Sequence, residues 1–311
     1  MKRLFTVIIV VVLAVLTIAT IGGSYYMLDY ALAPDGGRAD TTARFASLYE
    51  QHPEVRPWVD SLRAAVALTD TFAVMPTGER HHAFVISQQQ TGGRTAIVIH
   101  GWRDQAIGMF RIARLYELMG YRVVVPDLHA HGLSEGEAIG MGWKERLDVL
   151  HWMKLFATDT MVVHGISMGA ATTMNVAGER TPSGIKDIKF VEDCGYTSVW
   201  DEFSHELAED FSLSEFPLMY TTSLLCRLKY GWSFGEASPW EQVKKSTSPM
   251  LFIHGDCDDF VPSWMVFPLY ESKPGKKQLW ITNGSGHAMS YSDYPDEYVQ
   301  RLQDFLQGKE E

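Results

Sequence analysis

Ser167 stands at the centre of Gly165-Ile-Ser167-Met168-Gly169, which follows the apolar run Met161-Val162-Val163 and opens an Ala/Met-rich segment ending at Ala177. A strand that turns at once into a helix holds its middle residue in a strained backbone and pushes that side chain into the open. Gly165 and Gly169 are required because a side chain at either place would collide in so tight a turn. A serine hydroxyl is a poor nucleophile at neutral pH. It needs a base, and the base needs a third group to hold its tautomer and stabilise its positive charge. The chain supplies both, each directly after an apolar run: Asp258 in His254-Gly-Asp-Cys-Asp258-Asp-Phe-Val-Pro262, and His287 in Gly284-Ser-Gly286-His287. Nucleophile, acid, histidine is the chain order of one hydrolytic architecture and differs from that of two well-known serine protease folds.

Around these residues, strands and helices alternate. Residues 71–75 and 83–87 read as a hairpin with Gly78 in its turn. Apolar strands follow at 95–100, 122–126, 160–164, 188–192, 249–254 and 277–281. Helical segments fall at 110–119, 142–156, after Ser167, at 263–271 and at 295–306. Continuous apolar strands alternating with helices predict an α/β fold, a mostly parallel sheet covered on both faces, with reactive groups at the C-terminal strand ends. Upstream, Phe45, Leu48, Val55, Trp58, Leu62 and Val66 recur at helical spacing with a break at His52-Pro53, which predicts two short amphipathic helices. Between 195 and 248 the strand pattern stops. Trp200, Phe203, Phe211, Phe216, Tyr220, Tyr230, Trp232 and Phe234 mark a helical lid or, alternatively, an edge layer with no role in binding.

The motifs together resemble the α/β-hydrolase superfamily, and within it the membrane-anchored bacterial monoacylglycerol-lipase-like and Bem46-like serine hydrolases. They are His100-Gly101-Trp102, Asp127-Leu-His-Ala-His131-Gly132-Leu-Ser134, Gly165 to Gly169, His254 to Pro262, and Gly286-His287, and they span about 71–306. The resemblance implies Ser167 as nucleophile, Asp258 as acid and His287 as base, with Asp259 the alternative acid. It places the oxyanion-binding N–H groups at Trp102 and Met168. It departs from the family pattern at His129-Ala130, where relatives more often carry Arg-Gly. The implied activity is carboxylic ester hydrolysis through an acyl-enzyme. Amide or peptide hydrolysis would use the same machinery, and a non-catalytic membrane-anchored binding protein of the same fold is the third reading, against which the intact Ser167, Asp258 and His287 argue. The expected partner is a small-molecule acyl ester.

At the N-terminus, Lys2 and Arg3 precede an uncharged run from Leu4 to Ile21, with Tyr25-Tyr26 beyond it. Extended to Leu28, the run is long enough to cross a hydrocarbon core at about 1.5 Å per residue, with tyrosines at the interface. Ala31-Leu32-Ala33 offers a small-x-small cleavage site, but Asp29 and ten residues separate it from the apolar run, so an uncleaved anchor is preferred over a signal peptide. The basic N-terminus predicts export of everything after Tyr30. The organisation expected is therefore an anchor at 1–30, a helical collar at 31–68 and a catalytic domain at 69–311 carrying the 195–248 insertion, on the outer side of a cytoplasmic membrane.

The chain has 311 residues, 38 acidic against 27 basic, for a net charge of −11, which argues against nucleic acid as a partner. Cys194, Cys226 and Cys257 lack metal-ligand spacing and read as small apolar residues. Phosphate-binding glycine loops are absent, so no nucleotide cofactor is expected. The histidines at 81, 82, 100, 129 and 131 show no zincin pattern and no carboxylate or cysteine at ligand spacing, so no metal is expected and a structural role is assigned to them.

Overall fold

The computed structural model describes residues 2–36, 38–87 and 93–309. In chain order the helices are α1 (Lys2–Leu32), α2 (Thr41–Gln51), α3 (Arg56–Ala64), α4 (Phe110–Leu118), α5 (Glu145–Leu155), α6 (Met168–Ala177), α7 (Val199–Phe211), α8 (Leu218–Tyr230), α9 (Pro239–Val243), α10 (Val266–Ser272), α11 (Ser290–Asp293) and α12 (Pro295–Gln307). The strands are β1 (Leu68–Val74), β2 (Arg80–Ile86), β3 (Arg94–Ile99), β4 (Arg122–Pro126), β5 (Thr160–Ile166), β6 (Asp187–Asp193), β7 (Met250–Gly255) and β8 (Lys277–Thr282). Two compact units result: Pro34–Thr197 with Ser238–Glu311, and Met1–Ala33 with Ser198–Ala237.

The larger unit holds one eight-stranded sheet in the order β1-β2-β4-β3-β5-β6-β7-β8. β1 with β2 and β2 with β4 are antiparallel, and every later pair is parallel. The strands read as continuous apolar runs because both faces are covered: Ala96 to Ile99, Met161 to Val163 and Met250 to Ile253 are buried without alternation. β1 is the exception. It lies at the edge and is half-exposed along its length. Register fixes which ends meet. Ile166 is paired with Asp193, and Gly255 with Thr282, so the chain leaves β5, β6, β7 and β8 along one border of the sheet.

The collar helices pack as their spacing predicts up to Leu62, whereas Val66 lies past the end of α3 at φ 54° and is exposed. Phe45, Leu48, Trp58, Val59 and Leu62 are buried, and the Phe45 and Trp58 rings meet Phe110 of α4 at 5.5 and 6.1 Å. Burying one such side chain contributes roughly 1.5 to 3 kcal/mol. The expected helix at 142–156 starts later, at Glu145, because Met141 and Gly142 have φ of 49° and 76°, which a right-handed helix cannot contain.

The smaller unit joins α1 to α7 and α8. Ser198 caps α7 by accepting the Asp201 N–H, and Gly231 ends α8 at φ 79°. Met219, Cys226, Trp232 and Phe234 are buried in this unit, with the Phe203 and Phe234 rings 4.9 Å apart. α1 lies against α8: the Ser24 and Thr221 hydroxyls are 2.6 Å apart, and a Cβ on Gly23 would stand 3.2 Å from Leu218. The apolar N-terminal window of α1 is unburied.

Candidate active site

β5 ends at Ile166 and α6 begins at Met168, so Ser167 is the whole turn. Its φ of 58° and ψ of −122° lie in a region L-residues rarely occupy, the strain the Gly-x-Ser-x-Gly spacing predicts. The flanking glycines are needed for space. A Cβ on Gly165 would fall 2.0 Å from the Gly169 carbonyl oxygen, and one on Gly169 would fall 2.3 Å from that of Ile99. The Ser167 N–H donates to the Asp193 carbonyl at 2.9 Å, which ties the turn to the end of β6.

The residues predicted to serve Ser167 converge on it. His287 Nε2 is 2.9 Å from Ser167 Oγ, and His287 Nδ1 is 2.8 Å from Asp258 Oδ2. With Nδ1 protonated toward the carboxylate, Nε2 accepts from the serine hydroxyl, the tautomer this network assigns. Asp258 follows β7 and is itself fixed. Its Oδ1 accepts from the Phe260 and Val261 N–H groups at 3.1 and 2.9 Å, and His254 Nε2 stands 3.4 Å from Oδ2. Burial works to raise the Asp258 pKa, but hydrogen bonds from His254 and His287 outweigh it and hold the carboxyl at about 2. Neighbouring Asp259 is exposed, and the carboxylate 2.8 Å from His287 Nδ1 is that of Asp258.

The two expected oxyanion donors lie in segments next to Ser167. A Cβ on Gly101 would stand 3.4 Å from Ser167 Cβ, so the Gly101-Trp102 segment runs against the turn. Met168 opens α6, where first-turn N–H groups lack intrahelical acceptors. Two histidines shape this loop, refining the packing role assigned to them. His100 accepts from Leu128 N–H at 3.0 Å, leaving Nδ1 to donate to the Gly101 carbonyl at 2.7 Å. His131 accepts from the Arg103 N–H at 3.2 Å through Nε2 and donates to the His129 carbonyl through Nδ1 at 2.8 Å. Ala130 has φ of 62°, which is why glycine is the common residue there.

Sequence reading missed a buried chain behind the nucleophile. Tyr116 Oη donates to His164 Nδ1 at 3.0 Å, His164 Nε2 donates to Tyr298 Oη at 3.0 Å, and Tyr298 donates to Asp193 Oδ2 at 2.9 Å. Burial pushes His164 down to about 3, so the imidazole is neutral. Burial also lifts Asp193 to about 6 against the Tyr298 hydrogen bond. The one signal in the sequence was His164, a polar residue inside an otherwise apolar strand.

Ser167 and His287 open on a cavity of about 470 Å³ lined by Trp102, Met109, Ile112, Phe260 and Tyr291. A larger cavity of about 820 Å³ lies by α2, β1 and β2, lined by Phe45, Arg56 and Arg63, and carries neither residue. Among the described residues, two groups bring three metal-ligating atoms together: Cys194 with Asp258 and His287, and Glu79 with His81 and His129. In the first, Asp258 and His287 already bind each other, and burial raises the Cys194 thiol, keeping it protonated.

A mostly parallel sheet whose fifth strand breaks into a strained serine at a helix start is the architecture of the α/β hydrolases, and this chain belongs to that family. The model of the alpha/beta hydrolase family matches residues 96–301. The chain is 30% identical over 217 residues to the Bacillus subtilis (strain 168) protein named Uncharacterized protein YqkD, covering 68% of this chain and 70% of that one. Of solved structures, the Pyrococcus furiosus esterase Pf2001 is similar at a TM-score of 0.61 and 22% identity, over 78% of this chain and 92% of that one. An esterase from Exiguobacterium antarcticum, EaEST, is similar at 0.55 and 18% identity, over 77% and 100%.

Proposed function

We propose that this chain is a serine hydrolase of carboxylic esters, acting through Ser167, His287 and Asp258 and held by α1 on the outer face of a cytoplasmic membrane. The observation that carries the chemistry is the unbroken relay from Ser167 Oγ through the His287 ring to a buried, charged Asp258. Ser167 Oγ attacks the acyl carbon as His287 Nε2 takes its proton, while Asp258 holds Nδ1–H and stabilises the imidazolium. The Met168 and Trp102 N–H groups receive the oxyanion, each worth roughly 3 kcal/mol of barrier. His287 returns the proton to the departing alcohol, then activates water against the acyl-enzyme and the acid leaves. The apolar lining at Trp102, Met109, Ile112 and Phe260 suits an uncharged acyl or aryl group.

Retention of α1 is supported by its partners in the smaller unit. Cleavage after Ala33 would strip the Ser24 hydroxyl from Thr221 and the Tyr30 ring from Phe211, 5.6 Å away. Lys2 and Arg3 favour a cytoplasmic N-terminus.

A fluorophosphonate probe should label the full chain and leave Ser167→Ala unlabelled. p-Nitrophenyl esters of rising acyl length should be cleaved in preference to aminoacyl p-nitroanilides. Preference for the anilides would replace the esterase reading with an amidase, and a folded chain that takes no probe would make it a binding protein.

A further inference from the structure

Away from Ser167, three side chains the spacing did not connect meet where β2 starts beside the β4–α5 loop. Glu79 Oε2 is 3.1 Å from His129 Nδ1 and 3.7 Å from His81 Nε2, and the three ligand atoms all lie within 4.8 Å of one another. His81 is fully buried, and neither ring nitrogen has a hydrogen-bond partner among the described residues. A buried imidazole left so is costly, because its donor and its acceptor have both lost water. Its Nδ1 faces Asp148 Oδ2 at 3.6 Å, beyond hydrogen-bond reach. Glu145, one turn earlier on α5, is buried with Oε2 unpartnered. The ion-pair contacts of Glu79 and Asp148 among the described residues are to histidines, with no lysine or arginine among them. Among the described residues the pocket thus gathers three carboxyl groups around two imidazoles, and the ion pairs of Glu79 and Asp148 include no fixed cation.

We propose that Glu79, His81 and His129 bind a divalent transition metal of the zinc type, with Asp148 orienting His81. Two imidazoles and one carboxylate form a donor set that zinc accepts, with a fourth position for water. Ligands about 2.1 Å from a tetrahedral ion stand roughly 3.4 Å apart, and the 3.1 and 3.7 Å separations bracket that value. Asp148 sits where a ligating histidine passes its second N–H to a carboxylate. Coordination through Nε2 therefore gives that nitrogen a partner, and an approach of a few tenths of an ångström by Asp148 would give one to Nδ1. The ion would pin the start of β2 to the loop that carries His129. Glu79 and His81 are alternate residues and so share a face as the strand begins, which is the trace of the site that the sequence does contain.

The test uses the full chain in detergent, stripped with a chelator and titrated with Zn2+ by calorimetry and with Co2+ by visible absorption. Wild type should bind one ion, show the strong d–d bands of a tetrahedral site with Co2+, and unfold at higher temperature with Zn2+ than without. Glu79→Gln and His129→Ala, both partly exposed and so tolerant of change, should each lose at least tenfold in affinity, and Asp148→Asn roughly tenfold to a hundredfold. His287→Ala should bind as wild type does. Absence of binding by wild type, equal affinity in Glu79→Gln and His129→Ala, or loss of the site in His287→Ala alone would each overturn the proposal.

Discussion

Asp258 and Asp259 are chain neighbours, and the backbone after β7 decides between them. The turn that lets Phe260 and Val261 donate to Asp258 Oδ1 aims Oδ2 at His287 and leaves Asp259 exposed. Asp258→Asn should lower kcat roughly 10⁴-fold by presenting the wrong tautomer of His287, while Asp259→Asn should stay near wild type in the same ester assay. The same carboxylate sets a pH dependence of stability. Its folded pKa, about 2, lies below the ordinary aspartate value, so its contribution is complete above about pH 4 and disappears as pH falls toward 2. That contribution is about 2 kcal/mol, and chemical denaturation at pH 5 and pH 2.5 should show wild type losing most of it while Asp258→Asn does not. The candidate site was legible residue by residue because each member follows its own apolar strand within a short motif. Its neighbours Asp193 and Tyr298 were not, since a lone aspartate and a lone tyrosine acquire meaning only through a contact 105 residues away in the chain.

At the scale of elements, the strand–Ser167–helix junction is held from both sides. Gly165→Ala should abolish soluble expression or unfold the chain, because the added methyl meets Gly169 backbone that β3 keeps from moving. Tyr298→Phe is gentler. It leaves Asp193 without its donor and His164 without its acceptor, both buried, at roughly 1 to 3 kcal/mol for each group left unpaired, and the melting temperature measures it. The parallel strands were readable because burial on two faces leaves continuous apolar runs. The start of α5 was misjudged by three residues because its positive-φ entry at Met141 falls on a residue with no turn signature. The segment 195–248 yielded only its helical character. Its aromatic residues follow no period that names the partner of each helix, and the packing of α8 on α1 joins segments nearly 200 residues apart.

For the whole molecule the proposed topology has a direct test. Cys257 is exposed while Cys194 and Cys226 are buried, so a membrane-impermeant maleimide added to intact cells should label the chain through Cys257 and not label Cys257→Ser. Labelling only after lysis would place the domain inside, and release of the chain by alkaline carbonate would remove the anchor. By itself the sequence determined the fold family, the order of the strands and helices, the apolar N-terminal segment, and Ser167, His287 and the neighbouring pair Asp258 and Asp259 as the candidates to bring together. These are carried by local patterns, strand and helix periods and short motifs, that physics ties to nearby chain. Only the tertiary structure decided which aspartate faces His287, that His100 and His131 shape the loop beside Ser167, that α1 belongs with α7 and α8, and that Glu79, His81 and His129 share one pocket. Each of those depends on side chains from distant segments meeting in a buried place, where the loss of water makes an unpaired group costly and a chosen partner decisive.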